Sequence, residues 1–195
     1  LNELAAQTSG TIKFFKSDLL VEDSYAEAMH GCELVYHTAS PFTSDFDDPQ
    51  KELVDPAVEG TRNVLETAKR IPSVKRVVVT SSCAAIYTDA IEAEQAPNGK
   101  LTEDMWNTTA SLDYQPYSYS KVMAEKKAWE IAKAAEADLV VFPELFLNGY
   151  PPEDLVLKPA FADASKAATE ALARETADGP GIIIGTVWPD DGKVY

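Results

Sequence analysis

Tyr117 and Lys121, the ends of the run Tyr117-Ser118-Tyr119-Ser120-Lys121, are four residues apart. On a helix they share one face, a single turn apart. A free phenol has a pKa of about 10 and is a poor acid–base group at neutral pH. An ammonium group nearby favours the phenolate and draws the phenol toward the working range. Such a pair is able to pass a proton to a carbonyl oxygen while a hydride donor reduces the carbon. The same spacing also arises by chance on any surface helix carrying Tyr and Lys, so the pair alone is a weak signal.

Two strand ends raise its weight. Ser82 follows Val77-Val78-Val79-Thr80-Ser81, at the C-terminal end of a parallel strand, where ligands bind in open α/β sheets. Its hydroxyl is placed either to bind a substrate carbonyl or to cap the next turn. A second strand ends in His37, Thr38 and Ala39, where small side chains would let a dinucleotide approach the backbone. His37 reads equally well as a satisfied strand-end histidine.

The elements that must carry these residues alternate along the chain. Apolar runs predict strands at 11–15, 34–37, 74–80, 139–142 and 182–184. Helices are expected near 23–30 and over 49–69, 117–137 and 158–176. In the second of these Val54, Val58 and Leu65 recur at helical spacing, with Leu53 and Val64 beside them. A loop holds Pro97, Asn98 and Gly99, and Asp190-Asp191-Gly192 is a turn suited to a closing hairpin. This rhythm predicts the α/β class, with a largely parallel sheet and helices on both faces.

Composition narrows the partners. The chain has 195 residues, 45% hydrophobic and 25% charged, which is the range of folded domains. Its 17 basic and 32 acidic groups give a net charge of −15. That balance argues against nucleic acid or an anionic membrane, both of which demand clustered cations. No apolar run approaches the ~20 residues of a membrane span. Two cysteines, Cys32 and Cys83, are too few for a disulfide framework and point to a reducing cytoplasmic setting. They read as small buried apolar residues. No metal-ligand spacing stands out. The chain opens on Leu1, which suggests processing or a piece of something longer.

Several ordered blocks go further. They are residues 15–20, Gly31-Cys32-Glu33-Leu34-Val35-Tyr36-His37-Thr38-Ala39-Ser40-Pro41, Asp55-Pro56-Ala57-Val58-Glu59-Gly60-Thr61, Val77 to Ser82, and Tyr117 to Lys121. Together they make residues from about 10 to 133 resemble the extended short-chain dehydrogenase/reductases, nearest the dihydroflavonol and cinnamoyl-CoA reductase group. The resemblance implies a Rossmann-like NAD(P)-binding fold with Ser82, Tyr117 and Lys121 as the catalytic triad. It implies that Asp18 and Leu19 face the adenine and that His37, Thr38 and Ala39 line the cofactor's ribose and phosphates. Asp18 is also read as a helix cap or turn residue. The family begins with a glycine-rich phosphate turn, and no G-x-G-x-x-G occurs in these 195 residues. The first βαβ unit is therefore expected to be missing, which leaves the 11–15 strand either re-paired with the 34–37 strand or without a partner.

From Asp138 the pattern changes. Asp138-Leu139-Val140-Val141-Phe142-Pro143-Glu144, continuing through Asn148-Gly149-Tyr150-Pro151-Pro152, resembles the nitrilase superfamily. It is most similar to the glutaminase domain of glutamine-dependent NAD⁺ synthetases. That resemblance makes Glu144 a general base for a nucleophilic cysteine. Neither Cys32 nor Cys83 matches the family's nucleophile motif, so Glu144 also reads as a non-catalytic remnant. The domain expectation is a partial reductase-like unit at 1–137 and a partial nitrilase-like segment at 138–195, a truncated fusion that continues one sheet.

Three readings stay open. The first is an NAD(P)H-dependent aldehyde or ketone reductase, impaired as it stands, acting on a small-molecule carbonyl. The second is a glutamine amidase fragment. The third is a non-catalytic α/β fusion fragment, whose exposed sheet edges favour self-association.

Overall fold

Three parallel strands position every group discussed below. In the computed structural model, which describes residues 10–43, 45–102, 104–135, 140–143, 153–175, 186–190 and 193–194, they lie in the order β1 (Leu34–His37), β2 (Arg76–Ser81), β3 (Val140–Pro143). Val35 sits opposite Val77 and His37 opposite Val79, and Val79 in turn sits opposite Val141. Between strands the chain forms α1 (Ala26–Met29), α2 (Asp55–Arg70), α3 (Glu92–Gln95) and α4 (Pro116–Ala134). The units β1–α2–β2 and β2–α4–β3 are successive parallel crossovers, the construction of a Rossmann-like α/β sheet. Beyond them lie α5 (Pro159–Glu175) and an antiparallel pair, β4 (Pro189–Asp190) with β5 (Lys193–Val194).

The local chemistry of α2 suits a helix. Asp55 and Pro56 occupy its first turn, and Lys69 and Arg70 its last, each favourable to the helix dipole. Its inner face is Ala57, Gly60, Val64, Leu65 and Ala68. Leu65 meets Val79 of β2 and Ala128 and Ile131 of α4, while Val64 and Ala68 pack with Met29 of α1. Val77 touches both clusters, so β2 is the spine of the core. Each fully buried Val, Leu, Ile or Met among these contributes roughly 1.5–3 kcal/mol. Val58, expected inside, is only half-buried, because the buried face is centred on its small neighbours Ala57 and Gly60.

Gln115 sets the entry to α4. It adopts left-handed φ 54, ψ 57, and its carbonyl accepts from Tyr119 N at 3.1 Å. A left-handed non-glycine residue costs roughly 1 kcal/mol. The sharp bend lets Pro116 start the helix at once and puts Tyr117 in its first turn.

Several expectations need correction. Residues 11–15 form no strand, and Ile12, Phe14 and Phe15 are exposed. A strand exists only when a neighbour takes its N–H and C=O groups, and among the described residues β1 pairs with β2 alone. Among the described residues the segment has no strand partner, and β1 stands at the edge of the three-stranded sheet. The helix expected near 23–30 is a single turn, Ala26–Met29, since Asp23 (φ 59) and Gly31 (φ 81) break the backbone on either side. Cys32 is exposed, its Sγ donating to Ala28 O at 3.3 Å. The 182–184 strand and the turn at 191–192 lie outside the described residues.

Candidate active site

The C-terminal ends of β1 and β2 and the first turns of α4 enclose a cleft of about 430 Å³. Thr38 and Phe42 line one side, Ser82 and Cys83 another, and Tyr117 and Lys121 a third. Ser82, Tyr117 and Lys121 thus come from two separate elements to one space. Ser82 reaches it because β2 ends at Ser81 and the chain turns into the short helix Cys83–Ala85. Its Oγ accepts from Ala84 N at 3.2 Å, leaving the hydroxyl proton to point elsewhere.

Lys121 Nζ donates to Ser40 Oγ at 2.5 Å and sits over the Tyr117 ring, 4.9 Å from its centroid. Phe42 meets the same ring edge-on, with centroids 5.4 Å apart and an interplanar angle of 88°. Burial lowers the Lys121 pKa to about 8, since a poorly hydrated ammonium gives up its proton more readily. His37 is 6% exposed. Burial first, and then the charge of Lys121, lower its pKa to about 4. The imidazole is therefore neutral at the pH where Lys121 titrates. Burial likewise raises the Cys83 thiol, which favours the unreactive form.

The other residues singled out from sequence fall elsewhere. His37 and Ala39 line a separate space of about 20 Å³ behind Lys121, together with Ser81 and Glu125. Asp18 is exposed, and its Oδ1 accepts from Leu20 N at 2.9 Å in a tight turn. Leu19 packs against Gly60 of α2, where a Cβ would lie 2.4 Å from Leu19 Cγ. Glu144 lies outside the described residues. Among those described, no group of three His, Cys, Asp or Glu side chains is placed to hold a metal ion, and no helix is long and apolar enough to cross a membrane. A cavity of about 230 Å³ at the opposite end of β2, walled by Leu65, Val77 and Ile131, lies away from these groups.

Sequence reasoning passed over three contributors. Phe42 has no signal beyond its place after the strand-end run. Asn107 sits in an irregular loop, yet it is 4% exposed. Its Nδ2 donates to Ala84 O and Thr88 Oγ1, both at 2.8 Å, and its Oδ1 accepts from Thr109 N and Ala110 N. Glu125 was legible as the next residue after Lys121 at four-residue spacing.

A dinucleotide's nicotinamide and ribose fit this cleft on the structure's own terms. Its volume lies in the range of small-molecule sites. Thr38 and Ser40 offer hydroxyls, and the Lys121 ammonium, which donates to Ser40 Oγ, has further N–H bonds able to reach sugar oxygens.

Residues 17–143 match the model of an NAD-binding family described as male sterility protein. Anthocyanidin reductase from Arabidopsis thaliana is 38% identical over 165 residues, covering 80% of this chain and 48% of that protein. Cinnamoyl-CoA reductase CAD2 from Medicago truncatula is 40% identical over 141 residues, covering 71% and 42%. Among solved structures, yeast methylglyoxal/isovaleraldehyde reductase Gre2 complexed with NADPH is 32% identical with a TM-score of 0.54, covering 65% of this chain and 40% of its own. The chain thus spans less than half the length of each. These relatives are all reductases. The nitrilase-type resemblance has no counterpart among them, and the family match runs on through β3 to residue 143.

Proposed function

The chain belongs to the NAD-binding male sterility protein family, among the extended short-chain dehydrogenase/reductases, and from that premise we propose that it reduces the carbonyl of a small aldehyde or ketone with NAD(P)H. The observation that carries this reading is the single cleft shared by Ser82, Tyr117 and Lys121. NAD(P)H, held in this cleft by Thr38, Ser40 and Lys121, would supply hydride to the carbonyl carbon. Ser82 Oγ–H hydrogen-bonds the carbonyl oxygen and orients it. Tyr117 donates the phenolic proton to that oxygen as negative charge develops there. Lys121 stabilises the phenolate left behind and holds the sugar beside it. Phe42 lines the cleft and packs against the Tyr117 ring in a T-shaped contact. By their names the relatives above reduce an anthocyanidin, a cinnamoyl-CoA, and methylglyoxal or isovaleraldehyde; the last two are carbonyl compounds, which supports a carbonyl substrate here.

The test is direct titration of the purified chain with NADPH and NADH to millimolar concentration, followed by NADPH consumption with aromatic and aliphatic aldehydes. Saturable binding and aldehyde-dependent consumption are expected. No binding at millimolar cofactor overturns the reading.

A further inference from the structure

Tyr117, Lys121, Glu125 and Trp129 succeed one another at intervals of four along α4 and form one stripe on the helix. The function proposed above uses only the first two. Glu125 is half-buried, and both of its carboxylate oxygens are engaged. One accepts from Ser81 Oγ, and the other accepts from the Trp129 indole N–H at 3.2 Å. Ser81 closes β2 and immediately precedes Ser82. One side chain on α4 therefore grips the strand end whose next residue faces the cleft. Glu125 and Lys121 also face a common space of about 20 Å³ with His37 and Ser81.

We propose that Glu125 is a positioning residue of the reductase site, a role that rests on the function proposed above. Its carboxylate ties the strand end bearing Ser82 to the helix bearing Tyr117 and Lys121. It thereby fixes the separation between the hydroxyl that orients the carbonyl and the phenol that protonates it. A charged acceptor suits the task, because its hydrogen bonds are shorter and stronger than those of a neutral one. The separation matters because a misplacement of about 1 Å at a reacting centre costs on the order of 100-fold in rate.

The test compares Glu125→Ala, Glu125→Gln, Ser81→Ala and the Ser81→Ala/Glu125→Ala double variant in the full chain, first without turnover. The Trp129 indole N–H resonance, assigned with Trp129→Phe, shifts in Glu125→Ala. Amide exchange at 83–85 speeds up by about tenfold or more in Glu125→Ala and in Ser81→Ala, and the double variant loses no more than either single one. Glu125→Gln keeps most of the protection, since its amide oxygen still accepts from Ser81. In carbonyl reduction, kcat falls by about 10- to 100-fold in Glu125→Ala while the substrate KM changes little, and Glu125→Gln recovers most of the loss. Unchanged exchange at 83–85 in Glu125→Ala, or additive losses in the double variant, overturns the proposal. The exchange pattern in a chain that reduces no carbonyl keeps the tie and overturns the reductase reading alone.

Discussion

Lys121 Nζ stands over the face of the Tyr117 ring, 4.9 Å from its centroid, while donating to Ser40 Oγ. The contact uses the ring's π face, so it survives removal of the phenolic oxygen. Tyr117→Phe is therefore expected to keep the ring packed between Lys121 and Phe42 and to leave the melting temperature within a few degrees. Its proton is gone, however, and carbonyl reduction should fall by about 10²- to 10⁴-fold. Steady-state rates beside thermal melts check this. An unchanged rate in a folded variant rejects Tyr117 as the proton donor.

Burial gives Lys121 a pKa of about 8 rather than 10.5. A folded-state pKa below the unfolded one means that the unfolded chain binds more protons between these values. The cost of burying the ammonium is thus fully present below pH 8 and is relieved as pH rises to 10.5. NMR of the lysine Nζ and Cε should give one midpoint near 8, lost in Lys121→Arg. Reduction should decline as pH rises through 8 in the parent chain and hold to higher pH, at a lower rate, in Lys121→Arg. A midpoint near 10.5 removes the burial argument.

His37 is lowered from 6.5 to about 4 by burial and by the Lys121 ammonium. As pH falls below 6.5 the unfolded chain takes up a proton that the folded chain refuses until about pH 4. The stability tied to neutral His37 is complete above pH 6.5 and drains away between 6.5 and 4, by roughly 3 kcal/mol in total. Lys121 and Glu125 line the same small space as His37. Urea unfolding at pH 7 and pH 4.5 should show a smaller loss in His37→Gln than in the parent chain. Equal losses reject the buried neutral imidazole.

How far the sequence discloses such relationships depends on what stabilises each element. β1 coincides with the apolar run at 34–37, because its pairing with β2 lies within the chain. The equally strand-like run at 11–15 does not fold so, because pairing and not propensity makes a strand. The four-residue spacing of Tyr117 and Lys121 and the strand-end place of Ser82 are visible because helices and strands have periods. Asn107 is not, since a loop has none, and its burial emerges only once Ala84, Thr88 and Ala110 converge on it. Glu125 shares the helix period of Lys121, yet its partner Ser81 is distant in sequence, so half the relationship is hidden.

Gly60 marks a place where α2 meets the segment before α1 at close range. A Cβ there would fall 2.4 Å from Leu19 Cγ and 2.6 Å from Leu19 Cδ2. Leu19 is poorly free to retreat, because its carbonyl accepts from Asn63 Nδ2 at 3.0 Å. Gly60→Ala gains about 1 kcal/mol of helix propensity but pays roughly 1–3 kcal/mol in overpacking. A net loss of about 1 kcal/mol is expected, reversed when Leu19→Ala is added, and chemical unfolding of the three variants reads the coupling. A stabilised Gly60→Ala single variant shows that the contact is not tight.

Asn107 holds the turn that presents Ser82. Its backbone N–H donates to Ala85 O at 2.8 Å while its side-chain amide donates to Ala84 O, so two successive carbonyls behind Ser82 are pinned by one residue. Asn107→Asp keeps the acceptor for Thr109 N, Ala110 N and the Thr88 hydroxyl but loses the donor, leaving Ala84 O facing a carboxylate. Leaving a buried acceptor unpaired costs about 1–3 kcal/mol, more where a charge is introduced. Asn107→Asp should therefore lose more stability than Asn107→Ala at pH 7, and the gap should narrow as acid neutralises the new carboxylate. In carbonyl reduction both variants should lower kcat more than they raise KM, since the substrate still enters the cleft but Ser82 no longer orients it. Melting curves at pH 5 and pH 7 and a kcat against KM comparison decide the matter. Stability of Asn107→Asp equal to that of the parent chain at pH 7 rules out the amide donor as what pins the turn.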